Sequence, residues 1–237
     1  MKFSAPLALP VLLLAAPASA AVFNGNGNSG FGGILGTGSL ELTVNAAGDG
    51  LDGVFSLGTG GFNDEIVLYL DTVPGGFSDT SSFTDQGDLL RKAISGQDGT
   101  ARSTVNFPSG FDADYAIALN DDVPSDNQVG FIGLWRLDNP ANFTFAGALD
   151  PPVAVTEFSV AFSDLGISTG DEVRFIGTYL NGNGAFRSDE AIGGGIPNGN
   201  IGTNPLTFTA FESFVVPEPA SMALLLGGLP LLARRRG

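Results

Sequence analysis

The sequence predicts an all-β domain, an antiparallel β-sandwich with one short helix. Three observations carry this expectation. Short runs alternate apolar and polar residues with period two, clusters of Gly, Pro, Asn and Asp separate the runs, and one stretch alone has helical spacing.

Taken in order, residues 21–38 open with a Gly- and Asn-rich stretch, Asn24-Gly25-Asn26-Gly27-Asn28-Ser29-Gly30. It reads as a flexible leader or a set of tight turns ahead of a domain spanning 39–216. Leu40, Leu42 and Val44 then alternate with Ser39, Glu41 and Thr43. The continuous apolar run Ile66–Leu70 predicts a strand buried on both faces. Tyr115, Ile117 and Leu119 alternate with small alanines, and Phe131–Trp135 reads as a further core strand. Phe158, Val160 and Phe162 form the next alternation. Val173, Phe175 and Tyr179 share one face of 172–180, and Phe208 alternates with Thr207 and Thr209. Val73-Pro74-Gly75-Gly76, Asp121-Asp122-Val123-Pro124 and Asn181-Gly182-Asn183-Gly184 supply the turns. The helix is expected between Asp85 and Gly96. Leu89, Leu90, Ala93 and Ile94 share its apolar face, acids lie at its start, and Arg91 and Lys92 lie near its end.

Composition narrows the function. Of 25 acidic and 10 basic residues, Glu218, Lys2 and Arg234–Arg236 lie outside residues 21–216, leaving 24 against six and a net charge of −18. Such a surface repels phosphate backbones, so nucleic acid is excluded as a partner. Histidine and cysteine are both absent. The commonest general base near neutral pH is therefore missing, as are the usual nitrogen and sulfur ligands of transition metals. A non-enzymatic protein is expected.

Both termini read as processing segments. Lys2 precedes an apolar run from Leu7 to Ala16, and Ala18-Ser19-Ala20 offers the small-x-small pattern cut by signal peptidase, so residues 1–20 are read as a signal peptide cleaved after Ala20. At the other end, Pro217-Glu218-Pro219 leads into the apolar stretch Ala220–Ala233 and then Arg234-Arg235-Arg236. The prolines hold an extended backbone suited to a protease groove, and the arginines resist translocation and act as a membrane stop. The 14 residues from Ala220 to Ala233 span about 21 Å as a helix, short of a bilayer core of about 30 Å. They suit a transient inner-membrane anchor better than a permanent one.

Residues 217–237 resemble the PEP-CTERM sorting signal of exosortase substrates, in which a Pro-Glu-Pro triplet, an apolar helix and an arginine cluster follow in fixed order. The resemblance implies export in a Gram-negative bacterium, recognition of Pro217, Glu218 and Pro219 by exosortase, and delivery to the cell surface or an extracellular polysaccharide matrix. A second resemblance covers residues 64–192. Glu65–Asp71, Gly110–Tyr115, Glu157–Gly166 and Arg187-Ser188-Asp189-Glu190 are similar to stretches of the β-sandwich modules related to DOMON and family-nine carbohydrate-binding domains. It implies a jelly-roll-like module that binds glycans or calcium.

Candidate chemistry divides as follows. Asp64, Asp112, Asp114, Asp121 and Asp122 are candidate calcium ligands, since loop carboxylates outside the cell suit a hard cation, although no twelve-residue EF-hand loop is present. The competing enzymatic reading is a secreted carbohydrate-active hydrolase in which Asp112 and Asp114, with Asp121 and Asp122, act on a sugar. Gly166-Ile167-Ser168-Thr169-Gly170 has the spacing of a nucleophile elbow, but without histidine it reads as a surface turn. Gly25, Gly27 and Gly30 match the spacing of a dinucleotide fingerprint, but a signal cleavage site precedes them, so it is set aside. Trp135, the one tryptophan, reads as core, with sugar stacking as its alternative.

Overall fold

The computed structural model describes residues 20–121, 129–149, 156–199 and 201–218. In chain order the elements are β1 (Ala20–Asn24), β2 (Ser39–Val44), β3 (Gly50–Ser56), β4 (Glu65–Asp71), α1 (Leu89–Ser95), β5 (Val105–Asn106), β6 (Tyr115–Asp121) and β7 (Val129–Arg136). They continue with β8 (Thr144–Ala148), β9 (Glu157–Ala161), α2 (Phe162–Leu165), β10 (Glu172–Leu180), β11 (Arg187–Ile192), β12 (Leu206–Thr207) and β13 (Glu212–Val215).

Two antiparallel sheets dominate. The smaller runs β1-β2-β3-β9, and the larger runs β11-β10-β4-β6-β7-β8. β13 shares the outer edge of β10 with β11, pairing with Glu172–Phe175 while β11 pairs with the other half of the strand. A short parallel pair, β5 with β12, stands apart.

Alternation places a core on each face of the larger sheet. Ile66, Leu68 and Leu70 of β4 and Val173, Phe175 and Tyr179 of β10 meet Leu40, Leu42, Phe55, Phe158 and Val160 from the smaller sheet. On the opposite face, Val67, Tyr69, Ala116, Ala118, Ile176 and Leu180 pack against Leu90, Ala93 and Ile94 of α1 and against Phe107 and Phe208. The continuous apolar run of β4 is thereby explained, because both of its faces are covered. The expected two-layer arrangement gains a third layer of helix and loops.

The helix begins at Leu89, later than the sequence suggests. Asp88 is its N-cap, its side chain accepting from the Arg91 amide, and Gly96 closes it in the left-handed region at φ 67°. Asp85 stays outside the helix. Its carboxylate accepts from the amides of Gly87 and Phe143 and pairs with Arg91 at 3.2 Å.

Residues 21–38, expected to stand ahead of the domain, form part of it. β1 pairs with β2, and Ile34 and Leu35 are fully buried. The glycine-rich turns wrap a buried carboxylate. Glu190 Oε1 accepts from the amides of Phe31 (2.7 Å) and Gly33 (3.0 Å), and Oε2 accepts from those of Leu35 (2.9 Å) and Gly36 (3.3 Å). Asp189 accepts from the Gly30 and Gly199 amides. Four backbone donors replace the water that an ionised carboxylate loses on burial. Gly36 is required here, since a Cβ would overlap the Asn28 carbonyl.

β11 is charged and yet wholly buried. Arg187 donates to Thr178 Oγ1 (2.6 Å), to the Tyr69 hydroxyl (2.9 Å) and to the Ala93 carbonyl near the end of α1 (3.3 Å). The Tyr69 hydroxyl in turn donates to the Ile94 carbonyl at 2.6 Å.

Candidate functional site

The candidate site is a groove of about 440 Å³ between the start of α1 and the larger sheet at β6, β7 and β8. Strand register builds it. Asn120 of β6 lies opposite Phe131 of β7, Ala118 opposite Gly133, and Ala116 opposite Trp135, while Trp135 lies opposite Phe145 of β8. The small residues Ala118 and Gly133 lower the sheet surface between the larger ones. A Cβ at Gly133 would lie 2.6 Å from the Trp135 ring and 2.9 Å from that of Phe131, so glycine lets both rings lie across it.

Phe131, Trp135 and Phe145 form a three-ring wall with centroids 5.5 to 6.4 Å apart. Phe145 is 46% exposed and Leu89, on the helical lip, 37% exposed. Two residues that line the groove carry polar atoms lacking a partner among the described residues. Trp135 Nε1 and Asn120 Oδ1 are buried without hydrogen bonds there. The Asn120 amide group donates to the Asp121 carbonyl at 3.0 Å, which fixes where Oδ1 points. A buried donor or acceptor left unpaired costs about 1–3 kcal/mol, so both call for a solvent or ligand partner. On the opposite lip, Asp88 caps the helix and pairs with Arg91 at 3.1 Å, so each charge is offset by the other.

The acidic residues expected to bind calcium fall into two groups. Asp64 and Asp121 sit at one end of the β4–β6 pair, where the Asp121 amide reaches the Asp64 carbonyl at 3.4 Å. Asp112 and Asp114 sit at the other end, separated from them by Glu65–Leu70, about 20 Å of strand. One ion cannot bind both groups. The Asp114 carboxylate already accepts from the amides of Thr72 (3.1 Å) and Val73 (2.7 Å). Burial pushes it up to about 6 against the pull of those amides. Asp64 accepts from the Gly182 amide at 2.8 Å, and burial raises it too. Asp112 is exposed. Among the described residues, no three acidic side chains converge as a metal-binding group.

Asp114 also lines a separate groove of about 350 Å³ with Tyr115, Arg136 and Asp138. Next to Asp64, Glu65 is buried, its Oε2 unbonded among the described residues, and burial reinforced by the Asp64 charge pushes its carboxyl up to about 9. Ser168 lies in an exposed turn, its amide donating to Asp171. Pro217 and Glu218 follow β13 after the single residue Val216, and Ala20 opens β1. Ala18, Asp122, Pro219, Arg234, Arg235 and Arg236 lie outside the described residues. Among the described residues, no helix is long and apolar enough to cross a membrane.

Trp135 was singled out in the sequence, with sugar stacking as the alternative to core. That Asn120, Phe131 and Phe145 join it was hidden, because they converge only through strand pairing. Gly133, a glycine inside the apolar run that contains Trp135, was a further local signal.

Fold and site together define a mostly β acidic module with an aromatic groove beneath a short helix. No family model, curated protein or solved structure matches the chain.

Proposed function

We propose that this chain is an exported, non-enzymatic protein of the cell surface or extracellular matrix, sorted by exosortase and in contact with polysaccharide. The observation that carries the reading is where the domain closes. Val216 is fully buried, and its amide bonds the Asp171 carbonyl while its own carbonyl accepts from the Gly170 amide. The very next residues are Pro217-Glu218. A cut within the tail would release an intact domain.

The N-terminus supports the same reading. Cleavage after Ala20 leaves Ala21 and Phe23, which pack against the core between the sheets. Signal peptidase would act there. The apolar segment 220–233 would hold the chain transiently in the inner membrane of a Gram-negative cell, with Arg234–Arg236 on the cytoplasmic side. The jelly-roll-like relation to carbohydrate-binding modules belongs to this proposal.

The hydrolase reading retains one supporting feature, the raised Asp114 carboxyl beside a groove. Against it, that carboxylate is engaged as a cap for Thr72 and Val73. Incubation of the protein with a polysaccharide panel separates the two. Reducing ends that appear with the wild type and vanish with Asp112→Ala or Asp114→Ala would establish the hydrolase.

Sorting is tested by expression in a host with and without exosortase. The expected result is a shorter, surface-located form only when the enzyme is present. Identical processing in both strains would overturn the proposal.

A further inference from the structure

We infer that the groove between α1 and strands β6–β8 is a subsite for a neutral pyranose unit of a polysaccharide. The inference rests on the polysaccharide-contact part of the reading above and supplies its location and ligand class.

Four features select the ligand. First, the wall is aromatic and one ring, Phe145, is open to solvent, so the ligand must offer an apolar face for ring contact. Second, two residues that line the groove carry one donor, Trp135 Nε1–H, and one acceptor, Asn120 Oδ1, that are buried and unpaired among the described residues. A sugar hydroxyl donates and accepts at once, and a pyranose carries several beside a flat C–H face. An aliphatic ligand would leave both atoms unsatisfied.

Third, charge excludes acidic sugars. The cation among the described groove residues, Arg91, is already held by Asp85 and Asp88, and the net charge of −18 across residues 21–216 repels anions. Fourth, a volume of about 440 Å³ lies within the range of small-molecule sites. Among the described residues, Asp88 is the one carboxylate lining the groove, and it is both helix cap and ion-pair partner.

Trp135 is the chain's only tryptophan, so its fluorescence reports on this groove alone. The full-length protein would be titrated with cellohexaose, mannohexaose and xylohexaose, with oligogalacturonate as the charged control. The expected result is a saturable change in Trp135 emission with at least one neutral hexamer and none with the galacturonate. Phe145→Ala, at an exposed position, should weaken that binding roughly tenfold, the loss of one ring contact. Asn120→Ala should weaken it by a similar factor, with circular dichroism showing both variants folded. No saturable change with any neutral hexamer would overturn the inference. So would binding that both folded variants leave unchanged, or binding of oligogalacturonate alone. Because the titration uses purified protein, a chain that binds but is not processed in its host loses only the sorting proposal. A chain that is processed but does not bind loses only the subsite.

Discussion

The Glu190 carboxylate lies 2.7 Å from the Phe31 amide, joining residues 159 positions apart in the sequence. With the amides of Gly33, Leu35 and Gly36 it ties the N-terminal turns to β11, a buried edge strand. Stretches that look unrelated in the sequence therefore depend on each other.

Glu190→Gln keeps the shape but turns one oxygen into a donor facing backbone donors. The variant is expected to lose about 3 kcal/mol of stability, measured by urea denaturation. A loss below half a kcal/mol would mean that the turns hold without the carboxylate.

Tyr69→Phe removes the hydroxyl that accepts from Arg187 and donates to the Ile94 carbonyl. Two buried partners are left short, and a loss of about 2 kcal/mol is expected. Retention of full stability in the same denaturation assay would contradict this account of how buried Arg187 is accommodated.

Glu65 sets a pH dependence whose sign is fixed. Its carboxyl is raised from 4.5 to about 9 in the fold, by burial and by the Asp64 charge. Between those values the folded state binds a proton that the unfolded chain has released. Its contribution is fully present below pH 4.5 and is lost as pH rises toward 9, by up to about 1.4 kcal/mol per pH unit. Glu65→Gln is therefore expected to be more stable than wild type at pH 8 and to flatten the profile above pH 5. Parallel pH–stability curves for the two proteins would refute this.

Calcium is not expected to contribute to stability. The Asp64 and Asp114 carboxylates are occupied by backbone amides and lie at opposite ends of a strand pair. Adding a chelator should leave the melting temperature within about one degree, because only a ligand bound to the native state stabilises it. A fall of several degrees would place an ion in the fold.

How much was legible depended on how locally each element is determined. β4, β6 and β10 could be read because their apolar residues announce burial directly. α1 could be read from its apolar spacing and from Asp88 and Gly96. β11 could not, since Arg187-Ser188-Asp189-Glu190 has the composition of a surface loop and its partners lie in distant segments. β3 was obscured by Gly50 and Gly53, the latter required by the Phe158 ring lying over it. Trp135 was read as core, and at 2% exposure it is buried. Its unpaired Nε1–H and its neighbour Asn120 emerge only once β6, β7 and β8 are in register.

The central claim is that the domain is released from a tail that begins at Pro217. The most direct measurement is the intact mass of the protein recovered from the surface of its native host. The expected form begins at Ala21, ends near Pro217–Pro219 and lacks Arg234, Arg235 and Arg236. A surface form that still carries those arginines would contradict it.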